Sequence, residues 1–280
     1  MKEQIVSMDK VSLSFGNTRA LKDVSFHIYK GEIFGFLGPS GAGKTTTIKL
    51  MTKQLKPDYG NIQIFNQNIV MLGNALFDHI GVLSDNSGMY EKMSVYENLK
   101  IFADLKRVPH ERIEEVLKKT RLWDDRKKKA QNLSRGMKQR LLFSRTILHK
   151  PEILFLDEPT SALDPAKSEA VYDMINELKK DGTTIFLTTH NMNEADLLCD
   201  RVAFLHEGRI VECDDPDILK LKHSRDEVVI RSDTGKEYYT TRDKQSIWDT
   251  IQTMDGNIAR ISSVEPDLKT IFLNLTGREL

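Results

Sequence analysis

One run of residues, Gly38-Pro39-Ser40-Gly41-Ala42-Gly43-Lys44-Thr45, restricts what this chain can fold into more than any other stretch. The residues before it, Ile33 to Leu37, form an apolar run that reads as a buried strand. The residues after it, Thr46 to Leu55, read as a helix with Ile48, Leu50 and Met51 turned to a core. Strand, glycine-rich turn and helix are the context in which G-x-x-x-x-G-K-[ST] wraps a phosphate. Glycines let the backbone curl around an anion without Cβ clashes, so that successive N–H groups point inward. The helix N-terminus adds a partial positive charge at the same spot. The expected nucleotide cradle is therefore Gly38, Pro39, Ser40, Gly41, Ala42, Gly43, Lys44, Thr45 and Thr46. Lys44 reaches the β- and γ-phosphates in this reading, and the Thr45 hydroxyl ligates Mg²⁺.

Composition narrows the partners. Lys+Arg and Asp+Glu both number 41 in 280 residues, a formal net charge of zero. A nucleic-acid binder normally carries a basic excess, so none is expected as a partner. No apolar run approaches the roughly 18 residues of a membrane span. Met1-Lys2-Glu3-Gln4 begins no signal peptide, because an acid comes early and no apolar segment follows. Cys199 and Cys213 lack metal-ligand spacing and read as small core or near-surface residues in a reducing compartment. The expectation is a soluble, intracellular chain whose membrane part, if it has one, is supplied by another chain.

In chain order, residues 3–29 alternate apolar and polar positions around a Gly16-Asn17 turn and predict two or three antiparallel strands. Phe15, beside that turn, is a candidate platform for a nucleotide base or an ordinary core residue. Strands are expected at Asn61–Phe65 and Ile80–Leu83. Residues 94–149 change to helical spacing, first through Val95, Leu99, Ile101, Phe102 and Leu105, then from Pro109 through Ile113, Val116 and Leu117. This is a helical insertion, about residues 90–150. The basic run Arg126-Lys127-Lys128-Lys129 reads as a solvated linker.

A second apolar run, Ile153 to Leu156, ends in Asp157-Glu158. A buried strand ending in two carboxylates is costly unless a cation or water uses them. With the phosphate loop these residues make a Walker A and Walker B pair, in which Asp157 holds Mg²⁺ and Glu158 orients and polarises the attacking water. Ala166–Lys180 reads as a helix and Thr183–Thr189 as a strand ending at His190. That histidine is either structural or a γ-phosphate contact, at the strand end where doubly wound sheets keep ligands. A hairpin follows across Glu207-Gly208. From a boundary near Lys222 to Arg225, the remaining residues read as a ββαβα appendage, its last helix carrying Leu268, Ile271, Phe272 and Leu275 and stopped by Gly277. The domains are then 1–222 and 223–280. The second has no candidate ligands and reads as a packing or dimerisation module.

Between the two Walker motifs lies Leu133-Ser134-Arg135-Gly136-Met137-Lys138-Gln139-Arg140. It resembles the Leu-Ser-Gly-Gly-Gln signature of ABC-transporter ATP-binding subunits, in a variant frequent among ABC-2-type exporters. The order of motifs is also similar: Walker A, a helical insertion, the signature, Walker B, Ser161-Ala162-Leu163-Asp164 like the D-loop, and His190 like the switch histidine. The resemblance covers about residues 4–220. It implies an α/β P-loop NTPase core with an N-terminal antiparallel β portion, an inserted helical subdomain and a small C-terminal α+β extension. It further implies ATP and Mg²⁺ as cofactors, and two ATP-binding subunits that sandwich two nucleotides. Ser134 and the Gly136 N–H would then cap the γ-phosphate in trans, with Asp164 at the same interface and Phe15 stacking on the base. Glu158, His190 and Lys44 are the implied catalytic residues. A homodimer is expected, since both Glu158 and His190 are present, with a heterodimer as the alternative. The implied function is to power export of a drug, peptide, lipid or polysaccharide through a separate transmembrane permease, from the inner face of the cell membrane. Regulation of a membrane partner without transport is the alternative.

Two positions depart from the family pattern. Asp85 stands where a glutamine usually touches Mg²⁺, and is expected to ligate the metal with altered coupling to the permease. Arg135 replaces a signature glycine and either reaches a phosphate or ribose in the partner's site or points to solvent.

Overall fold

The computed structural model describes residues 2–277 apart from 85–87, 162 and 164. The chain forms two compact units that divide between Cys213 and Asp214.

The first unit is built on a six-stranded sheet. Its strand order is Arg209–Asp214, Arg201–His206, Ile33–Leu37, Thr184–Thr189, Ile153–Asp157 and Ile80–Leu83. The five strands from Arg201–His206 to Ile80–Leu83 are paired in parallel. Strands inside a parallel sheet are covered on both faces and read as unbroken apolar runs. Ile33–Leu37, Ile153–Asp157 and Thr184–Thr189 are accordingly buried at every position. The functional ends of these three strands, at Leu37, Asp157 and Thr189, lie side by side in register, Leu37 opposite Thr189 and Asp157 opposite Thr188. That adjacency gathers the phosphate loop, the Asp157-Glu158 pair and His190 at one edge of the sheet.

The N-terminal residues make a hairpin, Gln4–Phe15 with Thr18–Tyr29, extended into a second sheet by Tyr59–Ile64 and Gln67–Asn68. Phenylalanine rings lock the two sheets together. Phe26 of the hairpin stacks on Phe34 at 5.3 Å between centroids and on Phe186 at 5.9 Å, and Phe155 tilts against Phe186 at 6.0 Å. Each buried aromatic contributes about 1.5–3 kcal/mol, and the stack fixes the hairpin, and so Phe15 at its turn, over the central sheet.

The inserted helices follow the periodicity that predicts them, with shifted ends. Val95–Lys106 begins at a reciprocal cap in which Ser94 Oγ accepts from Glu97 N at 3.1 Å and Glu97 Oε2 from Ser94 N at 2.7 Å. Leu105 lies on the exposed side, outside the apolar stripe expected for it. Glu111–Lys119 starts after His110 rather than at Pro109. Arg135–Ile147 is headed by Ser134, whose hydroxyl accepts from Met137 N at 3.3 Å. Met192–Leu198 packs on Ile33–Leu37 and on Thr184–Thr189, and Pro165–Lys180 packs against Met192–Leu198.

In the second unit an antiparallel sheet runs Glu237–Thr240, Val228–Ser232, Ile258–Ser263. Helix Pro216–Lys222 packs against Leu268–Thr276, with Leu219, Leu268, Ile271 and Phe272 buried. Gly277 takes φ 66° at the C-cap of the last helix, the left-handed stop expected of a glycine there. Helix Lys244–Thr253 is capped by Asp243, which accepts from Ser246 N at 2.9 Å.

Candidate active site

The phosphate loop is shaped by close approach rather than by looseness. A Cβ on Gly38 would lie 2.2 Å from the Leu205 carbonyl oxygen, so the loop rests directly on the neighbouring strand. Gly43 has φ 116° and is itself the N-cap of helix Lys44–Met51, with Leu21 and the Ala20 carbonyl in the space a Cβ would need. The helix therefore starts at Lys44, earlier than the Thr46 expected from the sequence, and it ends at Met51 rather than Leu55. Its first-turn N–H groups carry no side-chain cap and face the loop, which leaves them to an anion.

Lys44 crosses this loop. Its Nζ donates to Gly38 O at 2.7 Å and Pro39 O at 3.2 Å, and lies 3.2 Å from Glu158 Oε1. Only 6% of the Lys44 side chain and 17% of Glu158 are exposed. The other oxygen of Glu158, Oε2, is 2.7 Å from His190 Nδ1. Glu158 thus bridges the phosphate-loop lysine and the histidine. Its backbone has φ 49°, a left-handed conformation that costs a non-glycine residue about 1–2 kcal/mol. This turns the chain sharply after Asp157 and aims the side chain along the loop.

Asp157 is held from two sides. Thr45 Oγ1 donates to its Oδ2 at 2.8 Å and Thr188 Oγ1 to its Oδ1 at 2.5 Å. A hydroxyl and a carboxylate side by side are hard oxygen donors that suit Mg²⁺, which keeps several waters and takes its remaining ligands from a nucleotide. Among the described residues no cluster of three or more His, Cys, Asp or Glu could hold a metal.

A cleft of about 540 Å³ joins these groups, with Phe15, Ser40, Gly41, Thr46, Glu158 and His190 along its walls. Phe15 is 51% exposed at the rim, which excludes the core alternative and leaves its ring open to a stacking partner. Gly43, Lys44 and Thr45 line the same cleft, while Gly38, Pro39 and Ala42 support the loop behind it. Ser134 and Gly136 do not line it; Ser134 is exposed at the N-cap of Arg135–Ile147, and Gly136 is half-buried in its first turn. Asp85 and Asp164 lie outside the described residues.

Thr188, Thr160 and Glu194 belong to no motif recognised in the sequence, and Gln139 of the signature run makes a contact that its motif does not announce. Thr188 orients Asp157. Thr160 donates to buried Glu194 Oε1 at 2.7 Å, and Gln139 of the Ser134-headed helix donates to Pro159 O at 2.8 Å. The position of Thr188 just before His190 was the available signal for the first; the other two bonds join segments far apart in the chain.

Comparison with known proteins agrees with this geometry. A family model described as ABC transporter matches residues 21–161, from the hairpin strand through both Walker motifs. The chain belongs to the ABC transporter family. A fluoroquinolones export ATP-binding protein of Mycobacterium tuberculosis is 39% identical over 267 residues, covering 93% of this chain and 89% of that relative. A daunorubicin resistance ATP-binding protein of Streptomyces coeruleorubidus is 30% identical over 307 residues, covering 99% and 97% of the two chains. The solved dimer of an ATP-binding cassette in a post-hydrolysis state, bound to ADP and Pi, superposes with a TM-score of 0.68 at 27% identity, over 75% of this chain and 98% of that one. The protein is thus an ABC transporter ATP-binding subunit, and an ATPase. Among the described residues no helix of this ABC subunit is long and apolar enough to cross a membrane.

Proposed function

We propose that this ATPase powers export of an amphiphilic drug-like or antibiotic-like substrate through a separately encoded transmembrane chain. The substrate class rests on the two relatives, whose names tie them to fluoroquinolones and daunorubicin. The observation that carries the catalytic reading is the bridge Lys44–Glu158–His190, two contacts of 3.2 and 2.7 Å on one partly buried carboxylate.

In this reading Lys44 leaves Glu158 for the β- and γ-phosphates, and the freed carboxylate accepts a proton from a water aligned with the γ-phosphorus. The water oxygen adds to phosphorus as the bond to the β–γ bridging oxygen breaks, giving ADP and phosphate. His190 holds Glu158 in that orientation and offers its ring to the γ-phosphate. Thr45 and Asp157 would hold Mg²⁺, which when bound would neutralise charge spreading over the phosphate oxygens. Phe15 stacks on the base. Ser134, Gly136 and Asp164 act across an interface with a second copy of the chain, capping the nucleotide bound by the partner. Asp85 would add a metal ligand, with altered coupling of the site to the permease. The second unit, from Asp214 onward, forms a packing or dimerisation module appended to the ATPase domain. The working assembly is a homodimer held at the inner face of the cell membrane by its permease.

The test is transport in proteoliposomes holding the transmembrane chain that co-purifies with this protein. ATP added on the side of the ATPase should drive a fluorescent fluoroquinolone across the bilayer, and Glu158→Gln should stop it. ATP hydrolysis without solute movement would refute export and favour a gating role.

A further inference from the structure

Glu194 is a buried acid that the reaction as described leaves unused. It is 1% exposed and sits in helix Met192–Leu198, directly after His190. Asn191 heads that helix, its Oδ1 accepting from Asn193 N at 3.1 Å and Glu194 N at 3.3 Å. Glu194 Oε1 accepts the Thr160 hydroxyl at 2.7 Å, while its Oε2 is buried with no hydrogen-bond partner. Burial pushes this carboxyl above its ordinary range, and the charge of Glu158 acts in the same direction. The Thr160 and Thr189 hydroxyls and the charge of His190 act in the opposite direction.

Thr160 belongs to the tight turn that follows Glu158. There Ser161 N and Oγ donate to the Glu158 carbonyl at 3.2 and 3.1 Å, and Leu163 N donates to Thr160 O at 2.8 Å. The Tyr172 hydroxyl lies beside Thr160 and Ser168, and a second cleft of about 470 Å³ opens along Glu158, Thr160, Thr189 and His190. Glu158 and His190 thus come from two separate strand ends, beside open space, the first followed by a turn and the second by helix Met192–Leu198. The Thr160–Glu194 bond ties that turn to that helix.

We propose that Glu194 is a positioning residue for ATP hydrolysis: through the Thr160 hydroxyl it locks the turn after Glu158 to the segment carrying His190, so that the two side chains meet. The proposal rests on the reading of Glu158 and His190 as the catalytic pair. Glu194 reaches none of the groups that line the phosphate loop, so its loss acts on turnover and leaves nucleotide binding intact. A misplacement of about 1 Å can cost up to about 100-fold in rate.

The experiment is steady-state ATPase of the chain in complex with its transmembrane partner, with rates normalised to the ADP-binding stoichiometry so that unfolded protein does not count. Glu194→Gln is neutral, keeps the shape and can still accept from Thr160, so its kcat should stay within about twofold of wild type. Glu194→Ala and the milder Thr160→Val should each lower kcat about 10- to 100-fold, with KM for ATP within about twofold. The double variant should be no slower than the slower single one, because both remove the same bond. A Gln variant as slow as the Ala variant, wild-type kcat in Glu194→Ala, or additive losses would each overturn the proposal. Glu158→Gln run alongside separates the two readings. If it keeps wild-type turnover, the catalytic assignment itself fails; if it is inactive while Glu194→Ala is fully active, only the positioning role fails.

Discussion

Replacing Glu158 by glutamine should weaken hydrolysis and strengthen nucleotide binding at once. Both effects follow from where its two oxygens sit. A general base contributes about 10²–10⁴-fold to a rate, so turnover should fall by that factor. Binding responds to the other contact, Lys44 Nζ at 3.2 Å. At an effective dielectric constant of about 20 the Coulomb attraction of such a pair is about 5 kcal/mol, an upper bound. Desolvation and the retained polar contact of a glutamine reduce it, and the net value of a charge-assisted hydrogen bond is about 1.5–3 kcal/mol. Lys44 keeps its bonds to Gly38 O and Pro39 O in both forms, so the variant loses the competitor without losing the lysine's position. Taking the low end, ADP should bind about tenfold more tightly. ADP is the ligand of choice because it lacks the γ-phosphate that a second copy would cap, which keeps the measurement on one chain. Titration with a fluorescent ADP analogue reads the affinity, and phosphate release reads the rate. Slow turnover with unchanged or weaker ADP binding would show that Glu158 does not compete for Lys44, and the release step proposed for it would be wrong.

Two further outcomes follow from local geometry. Gly38→Ala places a methyl 2.2 Å from the Leu205 carbonyl, and should lower the stability of the first unit by about 1–3 kcal/mol, read by urea denaturation. Gly41→Ala, which meets open space, is the control and should show only the left-handed backbone cost. The second concerns pH. The Glu194 carboxyl is raised above the unfolded value of 4.5 by burial, so the folded state binds the extra proton between the two values. Its contribution is fully present below the unfolded value and is lost as pH rises through the folded one. The stability of wild type relative to Glu194→Gln should therefore decline as pH rises above 4.5; a difference independent of pH would mean that burial does not raise this carboxyl.

The parts of this molecule legible in its sequence are those where local pattern and tertiary role coincide. The strands Ile33–Leu37 and Ile80–Leu83 are bounded correctly by the sequence because each is an unbroken apolar run set between polar or turn residues, as strands of a covered parallel sheet read. The start of the phosphate-loop helix was missed by two residues because capping rules look for a side-chain oxygen, whereas Gly43 heads this helix with no cap at all. Helix Pro216–Lys222 went unread although Asp215 caps it and Pro216 opens it, the ordinary signals of a helix start. Phe15 stayed ambiguous in the sequence, since an aromatic at a turn packs equally well inward or outward until the hairpin's position is known. Thr160 and Glu194 were illegible for a different reason. Neither belongs to a recognised motif, and their bond exists only because adjacent parallel strands bring the turn after Glu158 and helix Met192–Leu198 to the same sheet edge.

The hairpin turn at Glu207-Gly208 bears on how this chain can be cut and rejoined. Both residues have positive φ, 47° and 78°, as a two-residue hairpin turn requires. Short surface turns of this kind are ordinarily where new termini or inserted reporters are tolerated. Here Gly208 O accepts from Lys22 N at 2.7 Å, and a Cβ on Gly208 would lie 2.7 Å from the Ala20 carbonyl. Ala20 in turn lines the nucleotide cleft. A circular permutant opened at this turn, or a sensor domain spliced into it, would therefore leave the central sheet assembled but unclamp the wall against which the nucleotide rests. The same coupling makes the turn a place to report on occupancy of the cleft from outside it.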